Sequence, residues 1–378
     1  MDAFSIFIYL STFIVSSLCF VIAQKLYYTD VRYNKILGII FGVLCILIPC
    51  LLASFRGLKV GIDIYGYITP NFVTSSYTLS KGFFFFWNNM TVPTEIGFAY
   101  LIYICCQLKS IGLLFFIIEF LVIFPILIVL NKFRRQGGAF VGIMTFFFLF
   151  YNLSLCVMRV SIAMSALMLA YVLFPKHKKK ALLLYIFAIA FHSSAALLGV
   201  IFYAIYRIVN SQRMYRNLSI LFGSLMLFFV GVKVLLPYLV LVSSVLNPRY
   251  GYYLSEYIGS GSFSDIPITD FLSKFVLIAF FYRLLKGTPV LQEHKDILIL
   301  VLVGRYFVFF NAVFYEAMRI AFYFDLFLIV LASLVYSSNL RRSNKLISYI
   351  MILLPSFFYW IYFMMYKGAY ETNYYYFR

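Results

Sequence analysis

Arginine is the residue type whose placement first demands an explanation. Arg159, Arg305 and Arg319 stand within or at the edge of long apolar runs. The stretch SFRGLKVGIDIYGYITPNF, Ser54 to Phe72, sets Arg56, Lys59 and Asp63 together directly after eighteen almost wholly apolar residues. A charge at the centre of a bilayer costs about 3 kcal/mol or more unless it is paired or hydrated. Each of these arginines therefore needs a carboxylate or a ligand, and Glu119, Glu316 and Asp325 are available carboxylates. Ion pairing between helices accounts for any one arginine as well as ligand binding does. Several arginines converging on one mouth of a helical bundle suit an anion, because guanidinium stays charged and grips phosphate oxygens through two parallel donors. In a membrane that anion is a lipid phosphate or pyrophosphate. His192, in AIAFHSSAALLG, is the one histidine inside an apolar segment. A lone histidine beside Ser193 and Ser194 is more often a hydrogen-bonded core residue than a catalyst. With no second histidine at ligand spacing, zinc is not expected. The aromatic stretches GFFFFWNN (Gly82 to Asn89) and NPRYGYYLSEY (Asn247 to Tyr257) offer ring faces for sugars, although the same residues make interfacial belts.

The elements that must carry these residues are membrane helices. Of 378 residues, 64% are hydrophobic and only 12% charged, with a mean hydropathy of +0.96, and too little polar surface exists to cover a soluble core of this composition. Apolar runs of roughly 17 to 21 residues recur, long enough to cross about 30 Å of hydrocarbon as helices, and the alternating signal of an outer-membrane barrel is missing. The expected fold is an all-α polytopic integral membrane protein, a single domain over residues 1–378, with about 10–12 transmembrane helices and short re-entrant or interfacial helices. The first run, Phe4 to Ala23, lacks the basic flank and small-residue cleavage site of a signal peptide and reads as a retained span. The net charge of +18 is scattered in short groups between spans, the pattern of topology determinants and not of nucleic-acid binding. All six cysteines lie in apolar segments without metal-ligand spacing, so neither a disulfide framework nor a metal site is indicated.

Six groups of Lys and Arg mark the cytoplasmic side: Lys25/Arg32/Lys35, Lys132/Arg134/Arg135, Lys176/Lys178/Lys179/Lys180, Arg207/Arg213/Arg216, Arg283/Lys286/Lys295 and Arg341/Arg342/Lys345. Spans then run Phe4 to Ala23, Ile36 to Ala53, Ile111 to Leu130, Gly138 to Tyr151, Val160 to Phe174, Leu218 to Leu236, Phe271 to Leu285, Ile297 to Phe314, Ile320 to Tyr336 and Leu346 to Tyr366. Both termini and two large loops, approximately 54–94 and 237–270, come out on the extracytoplasmic side. Ile96 to Leu108 must begin and end outside, and Ala181 to Ile208 inside. Short or re-entrant helices satisfy this, and they are tolerated only where their backbone is buried in protein or lines a cavity. The alternative is two further full crossings with one basic group outside. Between Gly138 and Phe174 the chain has 37 residues for two crossings, which sinks the turn near Asn152 to Arg159.

SFRGLKVGIDIYGY, TEIGFAYL (Thr94 to Leu101), MRVSIAMSALMLA (Met158 to Ala170), AFHSSAALL (Ala190 to Leu198) and MRIAFYFDLF (Met318 to Phe327) together, in this order, resemble the EpsG-like family of bacterial polysaccharide polymerases. That family sits within the wider group of Wzy-type O-antigen and capsule polymerases. Its R-x(4)-G-x-D-x(3)-Y pattern is matched by Arg56, Gly61, Asp63 and Tyr67. Its E-x-G-F start falls on Glu95, Gly97 and Phe98, its F-H-x-S-A element on His192 and Ser194, and its late R-x-x-x-Y element on Arg319 and Tyr323. The sequence departs at Ile62, where Thr is usual, and at Val160, where Gln is usual, and it lacks a Pro-Tyr ending.

The resemblance implies an enzyme that lengthens a surface glycan at the extracytoplasmic face of the bacterial cytoplasmic membrane. It would transfer a growing chain from undecaprenyl pyrophosphate to the sugar hydroxyl of a fresh lipid-linked repeat unit, with inversion and without cofactor or metal. Departure of pyrophosphate develops negative charge that guanidinium groups stabilise, and the incoming hydroxyl needs a base. The pyrophosphate falls to Arg56, Arg159 and Arg319, then Arg249 and Arg305, with Tyr67 and Tyr323 beside the glycan. The base is Asp63, Glu95 or His192. The expected partners are the lipid-linked donor and acceptor, membrane lipids, a repeat-unit flippase and a chain-length-regulating co-polymerase. A lipid-linked oligosaccharide flippase, an O-antigen ligase and a membrane acyltransferase using His192 remain alternatives.

Overall fold

The computed structural model describes residues 2–29, 31–73, 78–133, 138–246, 266–312, 317–339 and 345–378. Arg249, Glu316, Arg134, Arg135, Arg341 and Arg342 lie outside the described residues. So does most of the loop 237–270, including NPRYGYYLSEY. Among the described residues the chain forms helices and one isolated antiparallel bridge between Arg56 and Phe377. The all-α polytopic membrane fold is as the composition demands. Among the described residues six helices are long and apolar enough to cross a bilayer: Ala3–Tyr27, Arg32–Phe55, Ile111–Lys132, Ala139–Cys156, Met318–Tyr336 and Tyr349–Tyr366. The remaining expected crossings fall on shorter apolar helices or on charged ones, such as Ile268–Leu285, which carries Asp270, Lys274 and Arg283.

In chain order the principal helices are α1 Ala3–Tyr27, α2 Arg32–Phe55, α3 Phe83–Asn88, α4 Ile96–Gln107, α5 Ile111–Lys132, α6 Ala139–Cys156, α7 Met158–Leu173, α8 Lys178–Phe191, α9 Ser194–Val209, α10 Met214–Leu246, α11 Ile268–Leu285, α12 Lys295–Val308, α13 Ala317–Asp325, α14 Leu328–Asn339 and α15 Lys345–Tyr359, which continues as the π-helical Trp360–Tyr366. They form two compact units, residues 1–196 with 329–378, and residues 197–328.

In the first unit α1 begins at Asp2, whose carboxylate accepts the Phe4 and Ser5 N–H groups at 3.2 and 3.0 Å, and it packs along α2. Pro49 inside α2 has no N–H for the carbonyl four residues back, that of Cys45. The Ser16 hydroxyl of α1 donates to that carbonyl at 2.7 Å, so the proline break becomes a helix–helix bond. The Pro49 carbonyl in turn accepts from the Tyr151 hydroxyl at 2.7 Å. In hydrocarbon surroundings every such backbone group needs a partner within the protein. Phe13 stacks on Phe147 at 4.8 Å, and Tyr9, Tyr151 and Trp360 meet edge to face around them. Gly138 and Gly142 let α6 approach α14 at Ser333, where a Cβ on either glycine would collide.

The last seven residues are threaded into this unit. Thr372 accepts the Tyr9 hydroxyl on its carbonyl at 3.0 Å and the Asn152 amide on its hydroxyl at 3.0 Å, and Trp360 donates to the same Asn152 at 2.9 Å. The Tyr375 N–H donates to the Ser5 hydroxyl and its own hydroxyl to the Leu52 carbonyl, both at 2.7 Å. Gly57 N–H to Tyr376 O (2.8 Å), Arg378 N–H to Phe55 O (2.8 Å) and Gly61 N–H to Glu371 O (3.1 Å) then tie the tail to the loop that follows α2.

In the second unit Phe202, Phe307 and Phe324 form the aromatic core, with Phe307 and Phe324 stacked at 5.3 Å and Phe202 edge-on at 5.0 Å. Gly304 leaves room for Phe324, and the next residue, Arg305, reaches Asp325 and Asp270. Lys274 closes this knot with 3.1 Å bonds to both carboxylates, so two cations face two anions with all four side chains buried.

Tyr375 is the buried anchor of the tail, 3% exposed. Tyr375→Ala should cost about 3–5 kcal/mol, as removal of a large buried aromatic does. Tyr374→Ala, at a 57%-exposed neighbour, should be close to neutral. Melting of the two variants in detergent measures the difference, and equal melting temperatures contradict the anchoring.

Candidate active site

Three chain interruptions carry polar side chains into the first unit. The first is the loop before α4. Asn71 fastens it by exchanging two bonds with the Val92 backbone, at 2.9 and 3.0 Å, and the Trp87 indole N–H donates to the Thr94 carbonyl at 2.9 Å. Glu95 follows with extended backbone at the N-terminal boundary of α4, its side chain making no bond to the helix end. The second is Val157, whose φ/ψ of −84/61 separates α6 from α7 and sets Arg159 in the first turn of α7. The third is the gap between α8 and α9, where His192 is extended (φ −156, ψ 121) and Ser193 follows. At 12, 14 and 16 residues, α4, α8 and α9 are about 18, 21 and 24 Å long, each short of a 30 Å crossing.

Glu95 joins the three. Its Oε2 takes Arg159 Nη1 at 2.7 Å, its Oε1 meets His192 Nδ1 at 2.8 Å, and the Ser193 N–H donates to Oε1 at 3.3 Å. The side chains of Arg159, His192 and Glu95 are 18%, 17% and 19% exposed, sheltered yet reachable. Burial pushes the Glu95 carboxyl up. The His192 hydrogen bond and the Arg159 charge together outweigh it and hold the group down at about 2. Its stabilising contribution is complete above the ordinary carboxylate value of 4.5 and is lost as pH falls towards 2. Gly97 sets the spacing: a Cβ there would stand 2.8 Å from the Ala190 carbonyl and 3.1 Å from the Phe191 ring, immediately before His192.

Of the other arginines expected at a ligand, Arg56 turns inward. It is 1% exposed, donates from Nη1 to the Leu155 carbonyl at 2.7 Å, and lies 4.3 Å over the Phe115 ring. Glu119, which accepts the Ser154 hydroxyl at 2.9 and 3.1 Å, is its electrostatic counterpart. The expected pyrophosphate contact is thus replaced by a structural one, because a helix-end carbonyl in a dry interior needs a donor. Gly61 has φ +106, and a Cβ on it would stand 2.9 Å from the same Leu155 carbonyl, so the position suits only glycine. Arg56 and Gly61 together clamp the α6–α7 junction from which Arg159 projects. Asp63 stands half-buried at the start of the π-helical turn Ile64–Ile68, beside Cys156. Tyr67 is placed in that turn by its backbone; its side chain lies outside the described part.

Arg305, Arg319 and Tyr323 belong to the second unit. Arg305 is 2% exposed in its knot with Asp270 and Asp325, the internal pairing the sequence left open. Arg319 and Tyr323 are four residues apart on α13 and so share a face, with Tyr323 fully buried. Sequence reasoning sought the partner of Arg159 at Glu119, Glu316 or Asp325; it is Glu95. It also missed the indole latch on Thr94 and the C-terminal strap. A readable signal for the Glu95–His192 pair lay in Gly97, which permits a close approach two residues after the carboxylate. Among the described residues no group of three or more His, Cys, Asp or Glu side chains could hold a metal ion.

The model of the EpsG family matches residues 39–377, which takes in every residue of this site. Neither a curated protein nor a solved structure matches the chain.

Gly97→Val should part Glu95 from His192. The expected results are destabilisation by about 1–3 kcal/mol, the range for overpacking, and faster modification of His192 by diethyl pyrocarbonate in mass-spectrometric mapping. Gly66→Ala, with nothing within 4 Å of its Cβ, serves as the silent control. Unchanged His192 reactivity in Gly97→Val contradicts the spacing role.

Proposed function

The chain belongs to the EpsG family, and from that premise we propose that it is a polysaccharide polymerase that joins undecaprenyl-pyrophosphate-linked repeat units at the extracytoplasmic face of the bacterial cytoplasmic membrane. Membership in the family suggests a polymerase-type membrane protein, and the multi-pass fold agrees with it. The observation that carries the finer reading is Glu95, one carboxylate bonded at once to a guanidinium and to an imidazole where three interrupted helices meet.

Each member has work that glycosyl transfer requires. With Nδ1–H donating to Glu95, the neutral His192 ring keeps its Nε2 lone pair for the proton of an acceptor hydroxyl. The hydroxyl oxygen attacks the anomeric carbon of the donor sugar, a C–O bond forms, and the bond from that carbon to the pyrophosphate oxygen breaks. Undecaprenyl pyrophosphate leaves with the electron pair, and the Arg159 guanidinium stabilises the charge that develops there. A single displacement inverts the anomeric carbon. Glu95 stays ionised throughout, holding the imidazole tautomer and stabilising the imidazolium. Arg319 and Tyr323, which match the late R-x-x-x-Y element, are further candidates for phosphate and glycan on that residue pattern alone. Asp63 is the base to test next. The lipid-linked units reach the enzyme through a flippase, and a chain-length-regulating co-polymerase accompanies it.

Purified protein given synthetic undecaprenyl-pyrophosphate-linked repeat units should produce a ladder of lengthening products. His192→Ala should slow it about 100-fold or more, as loss of a general base does. Arg159→Lys should lose most activity with the protein level unchanged, because a point charge does not reproduce the bidentate fork. A single transfer without a ladder would mean a ligase, no transfer at all with movement of the intact units across vesicles a flippase, and a full rate in His192→Ala removes the histidine from the chemistry.

The orientation has its own test. Cysteine introduced at Thr78, in the loop between α2 and α4, should react with a membrane-impermeant thiol reagent in intact or outer-permeabilised cells. Labelling only after rupture of the cytoplasmic membrane overturns the extracytoplasmic placement.

A further inference from the structure

The chemistry assigned above uses Glu95, Arg159 and His192, and leaves unexplained a second built feature that abuts them. Phe83 of α3 lies parallel to Trp87, with planes 5° apart and centroids at 6.2 Å. The edges of Tyr100 and Tyr103 of α4 meet Phe83 at 5.2 and 5.6 Å. Phe86, 2% exposed, pins α3 to Tyr103. The indole N–H is taken up by the Thr94 carbonyl, so the ring cannot turn without disturbing the residue next to Glu95. The result is a rigid aromatic shelf, with Tyr100 51% exposed and Trp87 partly buried, fringed by the exposed polar side chains of Asn88, Asn89 and Thr91.

Resting on the polymerase reading, we infer that this shelf is a glycan subsite: a sugar ring of the lipid-linked unit stacks on Trp87 and Tyr100 while its hydroxyls meet the Asn88 amide. Aromatic faces accept the C–H face of a sugar, and a polar tip or neighbouring amide takes its hydroxyls. The Trp87–Thr94 bond ties the shelf to the residue immediately before Glu95. The exposed Asn88 amide argues against hydrocarbon as the occupant, since an amide left without partners in lipid is costly; that of Asn89 already donates to the Phe85 carbonyl at 2.8 Å. The shelf therefore sets which glycan is extended, as a specificity element outside the bond-making groups.

Trp87 reports on its own surface. The chain has two tryptophans, and Trp360 is 0% exposed, so the difference in emission between wild type and Trp87→Phe isolates Trp87. In nanodiscs, iodide should quench Trp87, and the oligosaccharide repeat unit released from the source strain's surface polysaccharide should protect it. Tyr100→Ala, which leaves the indole latch intact, should raise the oligosaccharide concentration needed for protection at least tenfold. Quenching by brominated phospholipid acyl chains in place of iodide would make the shelf an interfacial belt and overturn the inference. So would quenching by iodide that millimolar oligosaccharide leaves unaltered. The product ladder, run on the same preparation, separates the two claims: a ladder without protection removes the shelf and leaves the polymerase, whereas protection without a ladder keeps the shelf and removes the polymerase.

Discussion

A buried guanidinium bonded to a helix-end carbonyl is the constraint around which the first unit is organised. The Leu155 carbonyl closes α6 just before the Val157 break, where no further helical turn exists to supply it with a donor. Arg56 fills that need at 2.7 Å, and the stacked Phe115 ring and nearby Glu119 make its charge tolerable in the interior. Removing one partner of a buried charge costs about 3–5 kcal/mol, so the loop after α2 is committed to this junction. Gly61 presses on the same carbonyl, and the C-terminal strand of residues bridges Arg56 from its other side. Three parts of the chain far apart in sequence thus fix a single turn, and Arg159 projects from the helix that begins there.

Interrupted helices are expensive in a membrane because each break frees backbone groups that hydrocarbon cannot satisfy. The fold concentrates that expense where it is useful. The loop before α4, the Val157 break and the His192 gap all deliver a polar side chain to one place, and Glu95 neutralises the cation that arrives there. The ionic knot of Asp270, Lys274, Arg305 and Asp325 in the second unit shows the contrasting use of charge, its two cations and two anions buried against each other. The Glu95 cluster differs from it in being partly exposed, at 17–19%.

Much of the frame was legible because hydrophobic length is a local property. Phe4 to Ala23, Ile36 to Ala53 and Ile111 to Leu130 lie inside α1, α2 and α5, and both segments that violated the alternation of sides proved to be short or broken helices. The direction in which a terminal arginine turns is not local. Arg56 ends a span and read as a pyrophosphate ligand, yet the carbonyl that claims it is 99 residues away. Glu95 and Arg159 are 64 residues apart, and their pairing depends on a glycine contact and an indole bond that no composition reveals. The strap formed by the last seven residues was invisible for the same reason, its partners being at Ser5, Tyr9, Leu52 and Asn152.

The account turns on His192 being held by Glu95 with its Nδ1 protonated, so that Nε2 faces the substrate as an acceptor. The chain contains three histidines, and selective nitrogen-15 labelling of their rings gives a spectrum simple enough to assign with His192→Ala. In the neutral imidazole, the His192 signals should show a protonated Nδ1 and an unprotonated Nε2, and Glu95→Gln should weaken that preference. A His192 ring that carries its proton on Nε2 in the wild-type protein would contradict the account.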